Sequence, residues 1–133
     1  MENEEKMKEL KFRVWDKERE YYLDKTELAG ITPDGKYILY IEEEEISKLE
    51  IECGYILEQY TGLKDKNRKE IYEGDIVEYD WYITRDKQAY RTKEQVIFDD
   101  MGARLGNDRI RNCSNVEVIG NIHENDDLLE EKK

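Results

Sequence analysis

The sequence predicts a mainly β fold with a small β-barrel in its C-terminal part. Three observations carry this expectation. Apolar residues alternate with polar ones at the start, β-branched and aromatic residues fill the runs between turns, and five short runs between Tyr55 and Ile119 are separated by Gly-containing punctuation. Closing such runs into a barrel removes exposed sheet edges.

The elements follow in order. Residues 1–8 carry almost no apolar character and read as a disordered start. Leu10, Phe12 and Val14 then alternate with Lys11 and Arg13, and Trp15 follows, the pattern of a half-buried strand. Asp16-Lys17-Glu18-Arg19 is a polar turn, and Tyr21-Tyr22-Leu23 returns to complete a hairpin. Pro33-Asp34-Gly35 is the next turn: Pro presets the first corner at a φ of about −65°, and Gly tolerates a left-handed exit. Tyr37-Ile38-Leu39-Tyr40-Ile41 is apolar on both faces, so both are expected to be covered, and Glu42 to Glu45 breaks the run. Ile46 and Leu49, three apart, suit a short helix; Ile51 and Cys53 suit an extended chain equally well.

After Gly54, Tyr55 to Tyr60 is a strand ended by Thr61-Gly62, and Lys64 to Lys69 forms a loop. Glu73-Gly74-Asp75 is a tight turn in which Gly takes φ > 0 and Asp bonds backbone amides two residues on. Ile76, Val77, Tyr79, Trp81 and Tyr82 continue as a strand, and Thr84 to Thr92 is a charged hairpin connection. Val96-Ile97-Phe98, Ala103 to Leu105 and Val116-Glu117-Val118-Ile119 complete the strands, with a turn at Asp99-Asp100-Met101-Gly102. The resulting organisation is a disordered stretch 1–8, a β-rich region 9–54, a barrel 55–123 and an acidic tail 124–133, with a soft boundary near Gly54. One helical turn in the tail would begin at Asn125 or Asp126.

Composition limits the function classes. Charged residues make up 42% of the 133 and hydrophobic ones 38%, a low apolar share that ten tyrosines offset, because a large ring buries roughly 150–250 Å². The net charge of −12 repels phosphate backbones and anionic membrane surfaces. Lys64, Lys66, Arg68 and Lys69 form a local basic patch against that field, whose ordinary reading is a solvated turn. The start, MENEEKMKELK, lacks the apolar centre of a signal peptide, and no run approaches the ~20 apolar residues of a membrane span, so a cytoplasmic protein is expected.

Catalytic chemistry finds few candidates. Cys53 and Cys113 lie far apart with no CxxC spacing, and His123 is the only histidine, so a Cys/His zinc set is incomplete. His123 after a Gly-Asn-Ile turn reads as a packing or surface residue, since a catalytic imidazole needs partners. Arg111 near Cys113 would lower the thiol pKa, but with no neighbouring His the residue reads as a free loop thiol. Adjacent acids such as Asp99-Asp100 point to opposite faces of a strand and do not readily chelate one ion. There is no phosphate-loop or dinucleotide fingerprint. The expectation is a protein that is not an enzyme and holds no cofactor or metal. The aromatic residues supply its binding candidates: Tyr72 and Tyr79 read as packing, whereas Trp81, Tyr82 and Tyr90 are candidate contacts. Trp81 and Tyr82, being adjacent, face opposite sides, which leaves one partly exposed.

Three stretches, Lys11-Phe12-Arg13-Val14-Trp15-Asp16, Tyr60 to Val77 (YTGLKDKNRKEIYEGDIV) and Val118-Ile119-Gly120-Asn121-Ile122-His123-Glu124-Asn125, together resemble the YopX family of phage and prophage proteins. Their order spans nearly the whole chain. The resemblance implies a mainly β protein with an SH3-like barrel in its C-terminal part, located in the cytoplasm of a bacterial host cell; it supplies no catalytic residues. Two positions depart from the pattern. Arg68 stands where the family's turn usually has Gly, and Arg resists φ > 0; Asp126-Asp127 stands where Pro-Glu is common. The leading functional expectation is a phage or prophage accessory protein acting as a non-enzymatic protein-binding module, with self-association possible through strand edges. The alternatives are an acidic mimic of nucleic acid that inhibits a host DNA-binding protein, and a nucleic-acid binder working through residues 64–69.

Overall fold

The computed structural model describes residues 11–24, 28–51, 53–83 and 88–130, with the backbone alone at Glu42, Tyr82 and Ile83. The start expected to be disordered, residues 1–8, lies outside these. The chain divides into two compact units, Phe12–Gln59 and Tyr60–Lys133 with Lys11. The division falls inside one strand, a few residues past Gly54.

In the first unit the alternating start forms β1 (Phe12–Asp16), paired antiparallel with β2 (Tyr21–Tyr22). The intervening turn is organised by the buried Asp16, whose carboxylate accepts the N–H groups of Glu18 at 3.0 Å and Arg19 at 3.1 Å. β3 (Leu28–Ile31), β4 (Tyr37–Glu42) and β5 (Glu45–Glu50) form an antiparallel sheet. The ambiguous stretch at Ile46 to Leu49 is therefore extended, its register with β4 pairing Leu49 with Ile38 and Ile46 with Ile41. Coverage of both faces of β4 does not reach its end: Ile38 is buried, but Ile41 is 40% exposed and Ile46 66%. Between them Glu43 and Glu44 both adopt positive φ, 52° and 67°, the two-residue turn whose twist matches a hairpin.

Val14, Leu23 and Ile38 form this unit's core, with Leu28, Leu49 and Leu57 packed against it. β1 also pairs with the first half of β6 (Tyr55–Lys64), opposing Arg13 to Glu58. Glu58 is only 2% exposed, and its Oε1 accepts from Arg13 Nε at 2.8 Å and from the Tyr22 hydroxyl at 2.9 Å. The Arg13 guanidinium also lies 4.4 Å from the Tyr22 ring centroid.

The second unit contains the end of β6, β7 (Glu70–Tyr72), β8 (Asp75–Ile83), β9 (Gln88–Asp99), β10 (Gly102–Leu105), β11 (Asp108–Arg109) and β12 (Ser114–Asn121). The last five form an antiparallel sheet in the order β11-β10-β9-β8-β12, curled into a half-barrel, so the fold is mainly β. Thr61-Gly62 does not end its strand. β6 continues to Lys64 across an irregularity in its pairing with β7, where Thr61 Oγ1 donates to the Ile71 carbonyl at 2.8 Å. The charged connection expected at Thr84 to Thr92 is strand from Gln88 onward, because pairing with β8 fixes it; residues 84–87 lie outside the described residues. The acidic tail carries a 3-10 turn at Asp126–Leu129 with Asn125 at its start.

Two signature turns have clear physical causes. In Glu73-Gly74-Asp75, Gly74 takes a φ of 89°, and Asp75 Oδ2 accepts the Tyr72 N–H at 2.8 Å, reaching back along the chain rather than forward. Gly74 N–H donates to the Val96 carbonyl at 3.0 Å and Ile122 N–H to the Gly74 carbonyl at 2.9 Å, tying this turn to β9 and to the end of β12. In Gly120 to Asn125, Asn125 Oδ1 accepts the Asn121 N–H at 3.1 Å, and a Cβ at position 120 would lie 2.5 Å from that same oxygen. The core holds Ile71, Val77, Tyr79, Val96, Leu105, Ile110 and Val116. Burial, with Glu94, Cys113 and Asp108 nearby, pushes the Tyr79 hydroxyl up to about 12.

Candidate functional site

β8 and β9 are longer than the strands that flank them. The last pair between β8 and β12 is Asp80 with Ser114, and β10 meets β9 only from Val96 to Asp99. From Trp81 onward the described residues of β8 and β9 therefore form a two-stranded arm. Its register places Val77 opposite Glu94, Tyr79 opposite Thr92 and Trp81 opposite Tyr90. Side chains two apart share a face, so Trp81 continues the face on which Val77 and Tyr79 are buried in the core. Where the core ends, Trp81 is 46% exposed and its cross-strand neighbour Tyr90 39%. Two of the three aromatic candidates thus meet on one face. Tyr82 lies in β8 opposite Ala89, and its side chain is outside the described residues.

The opposite face of the arm is polar and fixes its base. Arg91 Nη1 donates to Asp80 Oδ1 at 3.0 Å and to the Asn115 carbonyl at 2.9 Å, and Asn115 Nδ2 donates to Asp80 Oδ2 at 2.9 Å. Arg91 Nη2 also lies 3.6 Å from Glu78 and 3.9 Å from Glu117. Donation by Asn115 and then Arg91 holds the Asp80 carboxyl below its ordinary range. One face is satisfied internally, while the other presents large rings to solvent.

The basic turn divides in two. Its geometry is set by the buried Asp65, whose Oδ1 accepts the N–H groups of Asn67 at 2.8 Å and Lys69 at 2.9 Å, and whose Oδ2 accepts the Val118 N–H at 2.8 Å. Burial alone would raise its pKa; the three N–H donors, from Val118, Lys69 and Asn67, outweigh that and hold it below the ordinary value. Arg68 sits at a φ of 70°, the left-handed conformation that its side chain opposes. Arg68 and Lys69 are exposed. Lys64 and Lys66 line a groove of about 370 Å³ together with Arg111, Cys113 and Asn115. Arg111 comes from the 3-10 turn Ile110–Asn112, and the sequence marks it only as a neighbour of Cys113. What brings the two segments together is long-range: Lys66 N–H to the Val116 carbonyl at 2.9 Å, and Asp65 to Val118.

Neither Cys53 nor Cys113 is in a disulfide among the described residues. Burial, with Asp108 adding to it, raises the Cys113 pKa, the reverse of the activation Arg111 would supply. His123 donates its backbone N–H to Asn121 Oδ1 at 3.0 Å within the turn after β12. Among the described residues no three His, Cys, Asp or Glu side chains gather as a metal site. No described helix is long and apolar enough to cross a membrane.

A family model described as YopX protein matches residues 11–130. Among solved structures, the crystal structure of protein EF1440 from Enterococcus faecalis is similar at 28% sequence identity and a TM-score of 0.62, covering 91% of this chain and 98% of that one. No curated protein matches the chain.

Proposed function

The chain belongs to the YopX family, and from that premise we propose that it is a non-enzymatic protein-binding module, an accessory protein of a phage or prophage, whose contact surface is the arm of β8 and β9. One observation carries this reading: Trp81 and Tyr90 are cross-strand partners held 46% and 39% exposed on a face that is core elsewhere in the same sheet. Large rings on a rigid, paired backbone lose little conformational entropy on binding, and Trp and Tyr are the residues most enriched among dominant interface contacts. The polar network around Arg91 fixes the arm before a partner arrives, which lowers the entropic cost of docking. The whole chain's net charge of −12 favours a basic partner and speeds encounter with it.

Affinity capture of the tagged chain from bacterial lysate with and without nuclease, comparing wild type with Trp81→Ala and Tyr90→Ala, tests this. A protein retained by wild type and lost by both variants is the expected result. Against the captured partner in purified form, Trp81→Ala is expected to cost about 2 kcal/mol, roughly 30-fold in Kd. If everything captured is sensitive to nuclease, or both variants retain the same partner undiminished, the reading fails.

A further inference from the structure

We propose that the groove between the β6–β7 turn and the 3-10 turn Ile110–Asn112 binds an acidic peptide segment of a partner protein, one that places an aliphatic side chain between carboxylates. It rests on residues other than the aromatic arm and goes beyond that contact. The rim is cationic in a chain with 34 acidic and 22 basic residues. Lys64 and Arg111 have no carboxylate partner among the described residues, and Lys66 is 3.5 Å from Glu117. The one carboxylate in the lining, Asp65, is buried with both oxygens accepting backbone N–H groups, so it is spoken for by the turn. Ile71, Ile110 and Val116, which belong to the core, also line the groove and give an apolar side chain a surface to pack against.

The lining separates this ligand from a nucleic acid. Single strands are held by bases stacked on aromatic side chains along a basic track, and no aromatic residue lines this groove. The overall charge also opposes a polyphosphate more strongly than a short segment with four carboxylates. A volume of about 370 Å³ lies at the small end of ligand clefts, roughly 300–1,000 Å³, and admits a side chain with its immediate neighbours rather than a folded surface.

The test is fluorescence anisotropy of a labelled synthetic peptide, Glu-Asp-Leu-Leu-Glu-Glu, titrated with the full-length protein at low ionic strength and at about 0.15 M salt. Saturable binding that weakens with salt is expected. Arg111→Glu and Lys64→Glu are each expected to weaken it at least tenfold, whereas Trp81→Ala leaves it unchanged, which separates this site from the arm. Arg111→Gln removes the charge without adding one and reads the same contact should charge reversal disturb folding. The proposal is overturned if wild type does not bind the peptide at low salt, or if the Arg111 and Lys64 variants bind as wild type does. It is equally overturned if a thymidine oligonucleotide displaces the peptide and itself loses binding in Arg111→Glu, since the groove would then serve nucleic acid.

Discussion

Arg68 holds a backbone angle that L-residues avoid. At a φ of 70° it carries a cost of about 1–2 kcal/mol, whereas Gly would bring an entropic penalty of roughly 0.5–1 kcal/mol. Arg68→Gly is therefore expected to stabilise the protein by up to about 1 kcal/mol, read as a higher urea midpoint with an unchanged slope. Asp65, three residues earlier, makes the opposite case, because its carboxylate is the frame of the turn. Its folded pKa is lowered, so the stability it contributes is complete above the unfolded value of about 3.9 and disappears as pH falls through the folded value. Asp65→Asn is expected to cost roughly 1.5–3 kcal/mol at neutral pH and to flatten the acid limb of the stability profile, measured by urea denaturation across pH 2–7. The discord at Arg68 was legible through the family resemblance, because Arg stands where the family's turn usually has Gly. The role of Asp65 was not, because one of its three donors is Val118, 53 residues away.

Hairpins are the element whose existence reads most easily and whose extent reads least. Period-2 alternation located β1, and turn residues located β4 and β8, but strand lengths were decided by pairing. Thr84 to Thr92 reads as connection because it is charged; a two-stranded arm tolerates charge on its solvated face, so β9 runs through it from Gln88. The same freedom hid the meeting of Trp81 and Tyr90, since a register across an unseen turn cannot be counted from sequence. At the β4–β5 hairpin, Glu43 and Glu44 both occupy left-handed positions better suited to Asn-Gly. Glu43→Asn with Glu44→Gly is expected to raise stability by about 1–2 kcal/mol in thermal or urea denaturation, and a loss instead would show that the register depends on the charges. Between β1 and β6, the pair Arg13–Glu58 behaves as a buried ion pair. Glu58→Ala, which removes the carboxylate that Arg13 and the Tyr22 hydroxyl share, is expected to cost about 3–5 kcal/mol, and the double variant Arg13→Met with Glu58→Leu to recover most of it.

The whole molecule carries a charge of −12 on two small units, and self-repulsion of that size works against compactness. Raising the salt from low ionic strength to about 0.15 M, where charges are screened beyond about 8 Å, is expected to raise Tm by a few degrees; a Tm that does not move would mean that the local ion pairs already balance the field. The units also differ in how the chain supplies them. Phe12–Gln59 is continuous, with its core residues Val14, Leu23 and Ile38 close in sequence. The other draws on Tyr60–Lys133 and on Lys11, which pairs with Glu70 and lies 5.2 Å from the centre of the Tyr60 ring. On the ribosome, where a chain emerges at about 5–20 residues per second, everything the first unit needs is present once Gln59 has cleared the exit tunnel. Lys11 must instead wait for Glu70 to be translated, so the direction of synthesis makes all residues of the inserted unit available first, and those of the half-barrel that carries the arm and the groove only when β12 arrives.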